Sequence, residues 1–349
     1  MKFLNECNEL KHIIAVNECE ATAICTGYHL ATGKTGVVYL QNSGEGKAIN
    51  PLVSLCDPEV YSIPVLLMIG WRGRPEEKDE PQHKKMGRVM LSLLDALEIP
   101  YAILEDDVEK IEKAICKAKE YLENKNAPYA LIITKELIGE YETKPEKERY
   151  GEMVREEVIK IIVDSFDGSE VVISTTGKTS RELFEYREVK KQGHQDDFYT
   201  VGSMGCAASI AFGIASQRSE KKVFVFDGDG AVLMEMGSLA TIGHYSLKNF
   251  YHIIIDNASY ESTGGQPTVS PTVSFDKIAL ACGYKRVAII KTKEDLIGNI
   301  EKIRSQDGPV MLIVKVNKGS RKDLGRPTIT PIENKKAFML SLIKKCEIL

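Results

Sequence analysis

The sequence predicts an α/β protein made of two doubly wound domains, each built on a parallel sheet, and three observations carry that reading. Short apolar, β-branched runs alternate with amphipathic stretches along all 349 residues. That is the pattern of strands buried on both faces and of the helices that cover them. The length suits about two domains. Near the middle a polar stretch, "IGEYETKPEKERYGE" (138–152), interrupts the alternation with charge, Pro and Gly. We therefore expect a first domain over 1–140, a linker region over 141–165 and a second domain over 166–349. No sequence repeat relates the halves.

In chain order, the first half offers the strands "HIIAV" (12–16), "GVVYLQ" (36–41), "IPVLLMIG" (63–70), "YAIL" (101–104) and "YALIITK" (129–135). Between the first two, Asn17 is placed to cap a helix whose first turn carries Glu18 and Glu20, and Gly33 is placed to end it. The second half offers "EVVIST" (170–175), "FYTVG" (198–202), "KVFVFD" (222–227), "FYHIIID" (250–256), "KRVAII" (285–290) and "PVMLIVKV" (309–316). Amphipathic stretches at 81–97, 107–122, 150–165, 178–191, 205–218 and 292–305 supply covering helices.

Composition excludes several functions. With 46 basic and 50 acidic residues the net charge is −4, and no polybasic block stands out. Nucleic acid is not an expected partner. No apolar run reaches the roughly 18 residues of a membrane span, and the first residues lack the apolar core of a secretory signal. Eight cysteines are scattered without a CxxC pair, which argues against structural zinc or a disulfide framework and for reduced thiols in the cytoplasm.

In open parallel sheets, sites gather at the carboxyl ends of strands. There stands "DGDGAVLMEMG" (227–237). Gly228 and Gly230 let backbone approach a ligand, and the helix start favours an anion. The Asp229 carboxylate would repel a bare phosphate unless a divalent cation bridged the two. A dinucleotide loop would need a third glycine, which is missing. The next strand ends in Asp256-Asn257, where the Asn257 side-chain oxygen and the carbonyl of Ser259 can join Asp229 around Mg²⁺. "ISTTGKTSRELF" (173–184) contains GKT, but Val172 occupies the place where an ATP-binding loop needs its first glycine.

GDG followed by Asn257 after a helix and a strand resembles the thiamine diphosphate–Mg²⁺ motif of thiamine-dependent enzymes, with DN in place of the commoner NN. The resemblance implies the thiamine diphosphate-binding fold, a pyrimidine-binding domain followed by a diphosphate-binding domain, with no room for a central third domain. It implies that Glu18, nine residues before Gly27-Tyr28, is the catalytic acid against the aminopyrimidine ring, and leaves Glu20 to cap the helix. In "FYTVGSMGCAASIAFGIA", Gly202, Ser203 and Met204 correspond to the turn that holds the cofactor bent, with the Gly202 carbonyl taking its amino group. Thr176, Gly177 and Lys178 correspond to the turn that meets the diphosphate, beside Gly228, Asp229, Gly230 and Asn257. Family members pair the two domains across subunits, so a homo-oligomer, at least a dimer, is expected.

"IGWRGRPEEKDEPQH" (69–83), "STTGKTSRELFEYR" (174–187) and "VGSMGCAASIAFGIA" together resemble the phosphonopyruvate decarboxylases, near relatives of the sulfopyruvate decarboxylases. The resemblance implies a carboxy-lyase that converts the small 2-oxo acid 3-phosphonopyruvate to phosphonoacetaldehyde and CO₂ in phosphonate biosynthesis of the 2-aminoethylphosphonate type. Such a substrate is strongly anionic. Arg72, with Gln82 and His83 in the same loop, is the candidate to hold it. "QNSGEGKAINP" (41–51) departs from the family, which favours an apolar residue and Asn where Glu45 and Lys47 stand; the two can form a local ion pair. Sulfopyruvate or another 2-oxo acid, carboligation, and a non-catalytic cofactor-binding protein stand as alternatives.

Overall fold

A computed structural model describes residue 7 and residues 10–139 and 149–344, which divide into two units, one up to residue 139 and one from residue 149. Each is an α/β unit on a parallel sheet.

In the first unit, helix α1 (Glu18–Thr32) starts where its cap predicts. The Asn17 side chain accepts the Glu20 N–H, and the Glu20 carboxylate accepts the Val16 N–H at 2.6 Å. Gly33, at φ 70°, ends the helix in the left-handed conformation that costs glycine least. Strands β1 (Gly36–Gln41), β2 (Val65–Gly70), β3 (Tyr101–Ile103) and β4 (Tyr129–Ile133) form one sheet in the order β1-β2-β4-β3, with every pairing parallel. One face carries Val38, Leu40, Leu67, Ile69 and Ile132. It is covered by α1, by α2 (Glu45–Pro51) with its π-helical continuation Leu52–Cys56, and by α3 (Pro81–Ala96). The other face, with Leu66, Met68, Leu131 and Ile133, packs on α4 (Val108–Lys125). The strand expected over 12–16 does not form. That run has no neighbour to pair with among the described residues, and Ile13 is exposed.

The second unit begins with β5 (Met153–Val154) and α5 (Arg155–Asp164). The linker expected over 141–165 therefore ends sooner: Val158, Ile159 and Ile162 are fully buried in the core of this unit, as the amphipathic pattern of 150–165 requires. There follow β6 (Glu170–Ser174), α6 (Lys178–Val189), β7 (Asp197–Tyr199), α7 (Ala207–Ala215), β8 (Lys222–Gly228), α8 (Asp229–Met234), α9 (Ser238–Tyr245) and β9 (Phe250–Asp256). A small hairpin, β10 (Ser259–Tyr260) with β11 (Gln266–Pro267), precedes α10 (Phe275–Cys282), β12 (Arg286–Ile290), α11 (Lys293–Arg304), β13 (Val310–Asn317) and α12 (Pro331–Lys344).

The main sheet runs β12-β13-β9-β8-β6-β7, with β5 paired to the end of β13. One face, with Val172, Phe224, Phe226, Ile253 and Leu312, packs on α5, α6 and α11. The alternate residues, among them Val171, Val223, Val225, Ile254 and Met311, are equally buried against the opposite layer of α7, α9 and α10. From β6 the chain steps outward to β7 and then returns to lay β8 on the other side of β6. The winding direction reverses between β6 and β8, so the loops leaving their carboxyl ends part and open a crevice.

Candidate active site

The crevice between β6 and β8 is a cavity lined by Thr175, Thr176 and Lys178 from the end of β6, by Met204, by Gly228, Asp229 and Gly230 from β8, and by Asn257, Ser259, Tyr260 and Glu261 from the end of β9. The sequence thus placed eight of its expected cofactor and metal residues around one space: Thr176, Lys178, Met204, Gly228, Asp229, Gly230, Asn257 and Ser259. Gly177, Gly202 and Ser203 shape its turns without lining it. Gly177 (φ 99°), Gly202 (φ 76°), Ser203 (φ 48°) and Gly205 (φ 94°) all take left-handed backbone, and the Gly202 N–H donates to Thr176 Oγ1 at 3.0 Å. That bond ties the turn carrying Met204 to the end of β6.

Asp229 begins α8 and is 1% exposed. Its Oδ2 accepts Thr268 Oγ1–H at 2.5 Å and its Oδ1 the Asn257 N–H at 3.4 Å. Burial first, and the Asp256 carboxylate second, push this carboxyl up to about 7. An acid strained in that way is relieved by a cation. The Asn257 Oδ1 lies over the same turn, accepting the Ser259 N–H at 3.0 Å. Two further polar atoms here are buried without a partner, Thr175 Oγ1 and Ser259 Oγ. One carboxylate, one amide oxygen and free hydroxyls make an oxygen set too small to enclose an ion. No group of three or more His, Cys, Asp or Glu with metal-site geometry exists among the described residues. The set fits Mg²⁺ whose remaining ligands are phosphate oxygens and water. Glycine suits position 230 by shape, since a Cβ there would lie 2.5 Å from Cε1 of Tyr260 and would push that ring aside.

Sequence reasoning missed the acid that organises the cationic wall. Glu261 accepts from Arg155 Nη1 at 2.6 Å, from Asn257 Nδ2 at 3.0 Å and from the Gly319 N–H at 2.5 Å, with Lys178 Nζ 3.8 Å away. Arg155 also forks onto Glu182. Arg155 sits in the stretch read as linker, and Glu261 in an irregular loop, so neither period nor strand end marked them. Thr268 lay equally outside any pattern.

The first unit holds the other expected residues at the carboxyl ends of β1 and β2. Glu18, first residue of α1, lays its carboxylate on Gly44, where a Cβ would be 1.8 Å from Glu18 Oε1; Glu18 Oε2 is buried and unpartnered. Asn42 bridges the two strand ends, donating to the Arg72 carbonyl at 2.8 Å and accepting the Arg72 N–H at 3.0 Å. Gly73, at φ 68°, packs on the His83 carbonyl. Glu18 at the start of α1, Arg72 in the loop after β2 and His83 in the first turn of α3 are therefore linked through these contacts. Gln82 and His83 lie in that helix and not, as expected, in the loop with Arg72, because Pro81 opens the helix just before them. The Arg72 guanidinium forks onto Asp79 at 2.8 and 2.5 Å, with Asp79 also accepting the Gly73 N–H, so its charge is already engaged. Gln82 Oε1 and His83 Nδ1 are buried without partners; burial, then Arg72, hold the imidazole below its usual pKa. Glu45 makes no ion pair with Lys47: both its carboxylate oxygens are buried and unpartnered.

Comparison with known proteins covers both units. Residues 1–97 match the family model described as thiamine pyrophosphate enzyme, N-terminal TPP binding domain, and residues 175–314 match the C-terminal TPP binding domain of the same enzymes. A phosphonopyruvate decarboxylase of Streptomyces viridochromogenes is 34% identical over 94% of this chain and 84% of its own. That of Streptomyces hygroscopicus is 34% identical over 94% and 83%. A sulfopyruvate decarboxylase of Methanosarcina acetivorans is 30% identical over 94% and 87%.

Proposed function

The chain belongs to the thiamine pyrophosphate enzyme family, and from that premise we propose that it decarboxylates 3-phosphonopyruvate to phosphonoacetaldehyde and CO₂ with thiamine diphosphate and Mg²⁺, supplying phosphonate biosynthesis of the 2-aminoethylphosphonate type. The observation that carries the reading is the cavity at the β6–β8 crevice, where Asp229 and Asn257 meet beneath a wall bearing Lys178. Likeness to two phosphonopyruvate decarboxylases across both units supports the substrate.

Thiamine diphosphate, when bound, supplies the electron sink that decarboxylation of a 2-oxo acid needs. The chain's residues bind and orient. Asp229, Asn257 and the Ser259 carbonyl would hold Mg²⁺, and Thr176 and Lys178, on the turn shaped by Gly177, would bind the diphosphate. Met204, which lines the cavity, would support the cofactor's rings. Glu18, buried and unpartnered at Oε2, would be the hydrogen-bonding partner of the aminopyrimidine. His83, held neutral, and Gln82 offer hydrogen bonds to the substrate side, and Arg72 attracts its anionic end while remaining braced by Asp79. No helix among the described residues is long and apolar enough to cross a membrane, and we infer a cytoplasmic homo-oligomer, at least a dimer.

Sulfopyruvate is the second reading, favoured by the Methanosarcina relative. CO₂ release measured with phosphonopyruvate, sulfopyruvate and pyruvate, in the presence of thiamine diphosphate and Mg²⁺, tests both. Turnover highest on phosphonopyruvate supports the proposal; preference for sulfopyruvate replaces it, and no CO₂ from any of the three sinks it.

A further inference from the structure

Beside the cation loop lies a second acid that the commoner pattern of this family does not have. Asp256, last residue of β9, is fully buried, yet it does not line the cavity that Ile255 and Asn257 reach. Both its oxygens are occupied. Oδ1 accepts the Ala258 N–H at 3.1 Å. Oδ2 accepts Ser270 Oγ–H at 2.5 Å, Tyr150 O–H at 3.3 Å and Lys315 Nζ at 2.5 Å. Lys315 arrives from the neighbouring strand directly opposite, since the β13–β9 register pairs Lys315 with Asp256. The ammonium also donates to Tyr150 O–H at 2.8 Å and lies 5.0 Å from the centre of that ring.

The segment carrying Tyr150 is built to be there. Asn317 Oδ1 accepts the N–H groups of Tyr150 and Gly151 at 3.0 and 3.2 Å. A Cβ on Gly151 would fall 2.1 Å from the Lys315 carbonyl, so only glycine lets the segment lie so close to β13. Three separate pieces of chain thus converge on one carboxylate next to Asn257.

We propose that Lys315 is a positioning residue for the cation site: it neutralises Asp256 and holds it turned away, so that the loop presents one net negative charge, that of Asp229. The inference rests on reading Asp229 and Asn257 as the Mg²⁺ ligands. Its consequence runs against sequence intuition. Asp256→Asn restores the commoner NN ending, yet it leaves the Lys315 ammonium uncompensated beside a divalent cation and weakens the site. Lys315→Met does the reverse, adding an uncompensated carboxylate. The double change removes both charges and returns the loop to its original balance.

The test is calorimetric titration of Mg²⁺ into the full-length protein saturated with thiamine diphosphate, with thermal unfolding recorded alongside. Asp256→Asn should bind Mg²⁺ about tenfold more weakly than wild type. Lys315→Met should bind it more tightly, and Asp256→Asn/Lys315→Met should lie within about twofold of wild type. A pair that only holds the fold together would lower the melting temperature of both single variants and leave their Mg²⁺ affinities equal to wild type, which overturns the proposal. Should Asp256→Asn fail to fold, Lys315→Met against the double variant carries the same test: tighter binding by the single variant supports it, and equal affinities overturn it. A wild-type protein that binds thiamine diphosphate without regard to Mg²⁺ would instead refute the metal reading itself.

Discussion

Glu18 and Glu45 show how two carboxyls of one loop system part in role. Glu18 rests on Gly44 with Oε2 buried and unpartnered, and it is the residue proposed to meet the aminopyrimidine. Glu18→Gln keeps the shape and replaces the carboxyl with an amide that cannot act as an acid or base, so it should bind thiamine diphosphate nearly as wild type does and lose at least about a hundredfold in turnover. Full turnover by that variant would refute the assignment. Glu45 is 1% exposed with neither oxygen partnered, and burial lifts it from the ordinary 4.5 to about 7. An acid with a raised folded pKa holds its proton longer folded than unfolded. Its penalty is absent below about pH 4.5, grows as pH rises to about 7 and is constant above. Glu45→Gln removes that titration. Measured by denaturant unfolding, the variant should gain about 2 kcal/mol relative to wild type between pH 5 and pH 8; a pH-independent difference would show that Glu45 finds a partner. The sequence marked Glu45 only as a departure from a pattern. Its burial belongs to the packing of α2, of which it is the first residue, and no local rule foretells it.

At the scale of elements, the strands and caps were legible because their physics is local. Asn17, Glu20 and Gly33 bracket α1 as read, and the runs ending at Gly228 and Asp256 are buried along nearly their whole length, as strands covered on both faces must be. What failed was what depends on a neighbour. "HIIAV" has the composition of a strand but no strand beside it among the described residues, and Arg155 fell within the expected linker region, where only the packing of α5 sets it against Glu182 and Glu261. The turn from β8 into α8 illustrates the dependence in the other direction. Gly230 was read as room for a ligand's approach; the structure adds that the Tyr260 ring fills the place of its Cβ. Gly230→Ala should therefore cost about 1–3 kcal/mol in unfolding free energy, and Gly230→Ala with Tyr260→Ala should recover part of it. Equal stability of Gly230→Ala and wild type would mean the loop shifts freely, against its anchoring by Asp229 and Thr268.

At the scale of the whole molecule, the chain keeps its candidate groups in two units: the acid for the pyrimidine in the first, the cation ligands in the second. Strand ends alone singled out Asp229 and Asn257, because a parallel sheet gathers residues at its carboxyl edge; Glu18, Met204, Thr176, Gly177 and Lys178 were singled out only through the resemblance, because a helix start or a glycine turn carries no such signal by itself. The proposal that family-like sites form across subunits makes a sharp prediction. Glu18→Ala disables only the pyrimidine side and Asp229→Ala only the diphosphate side, so each homo-oligomer should be inactive. In a mixed dimer one site carries both changes and the other carries neither. Purified Glu18→Ala and Asp229→Ala proteins, unfolded and refolded together or coexpressed, should then regain decarboxylase activity that neither shows alone, and the regained activity should disappear with EDTA. If each site were built within one subunit, every site in the mixture would keep one lesion and no activity would return. The same samples separate assembly from chemistry: thiamine diphosphate with Mg²⁺ should raise the melting temperature of Glu18→Ala, whose cation ligands are intact, and leave Asp229→Ala unchanged.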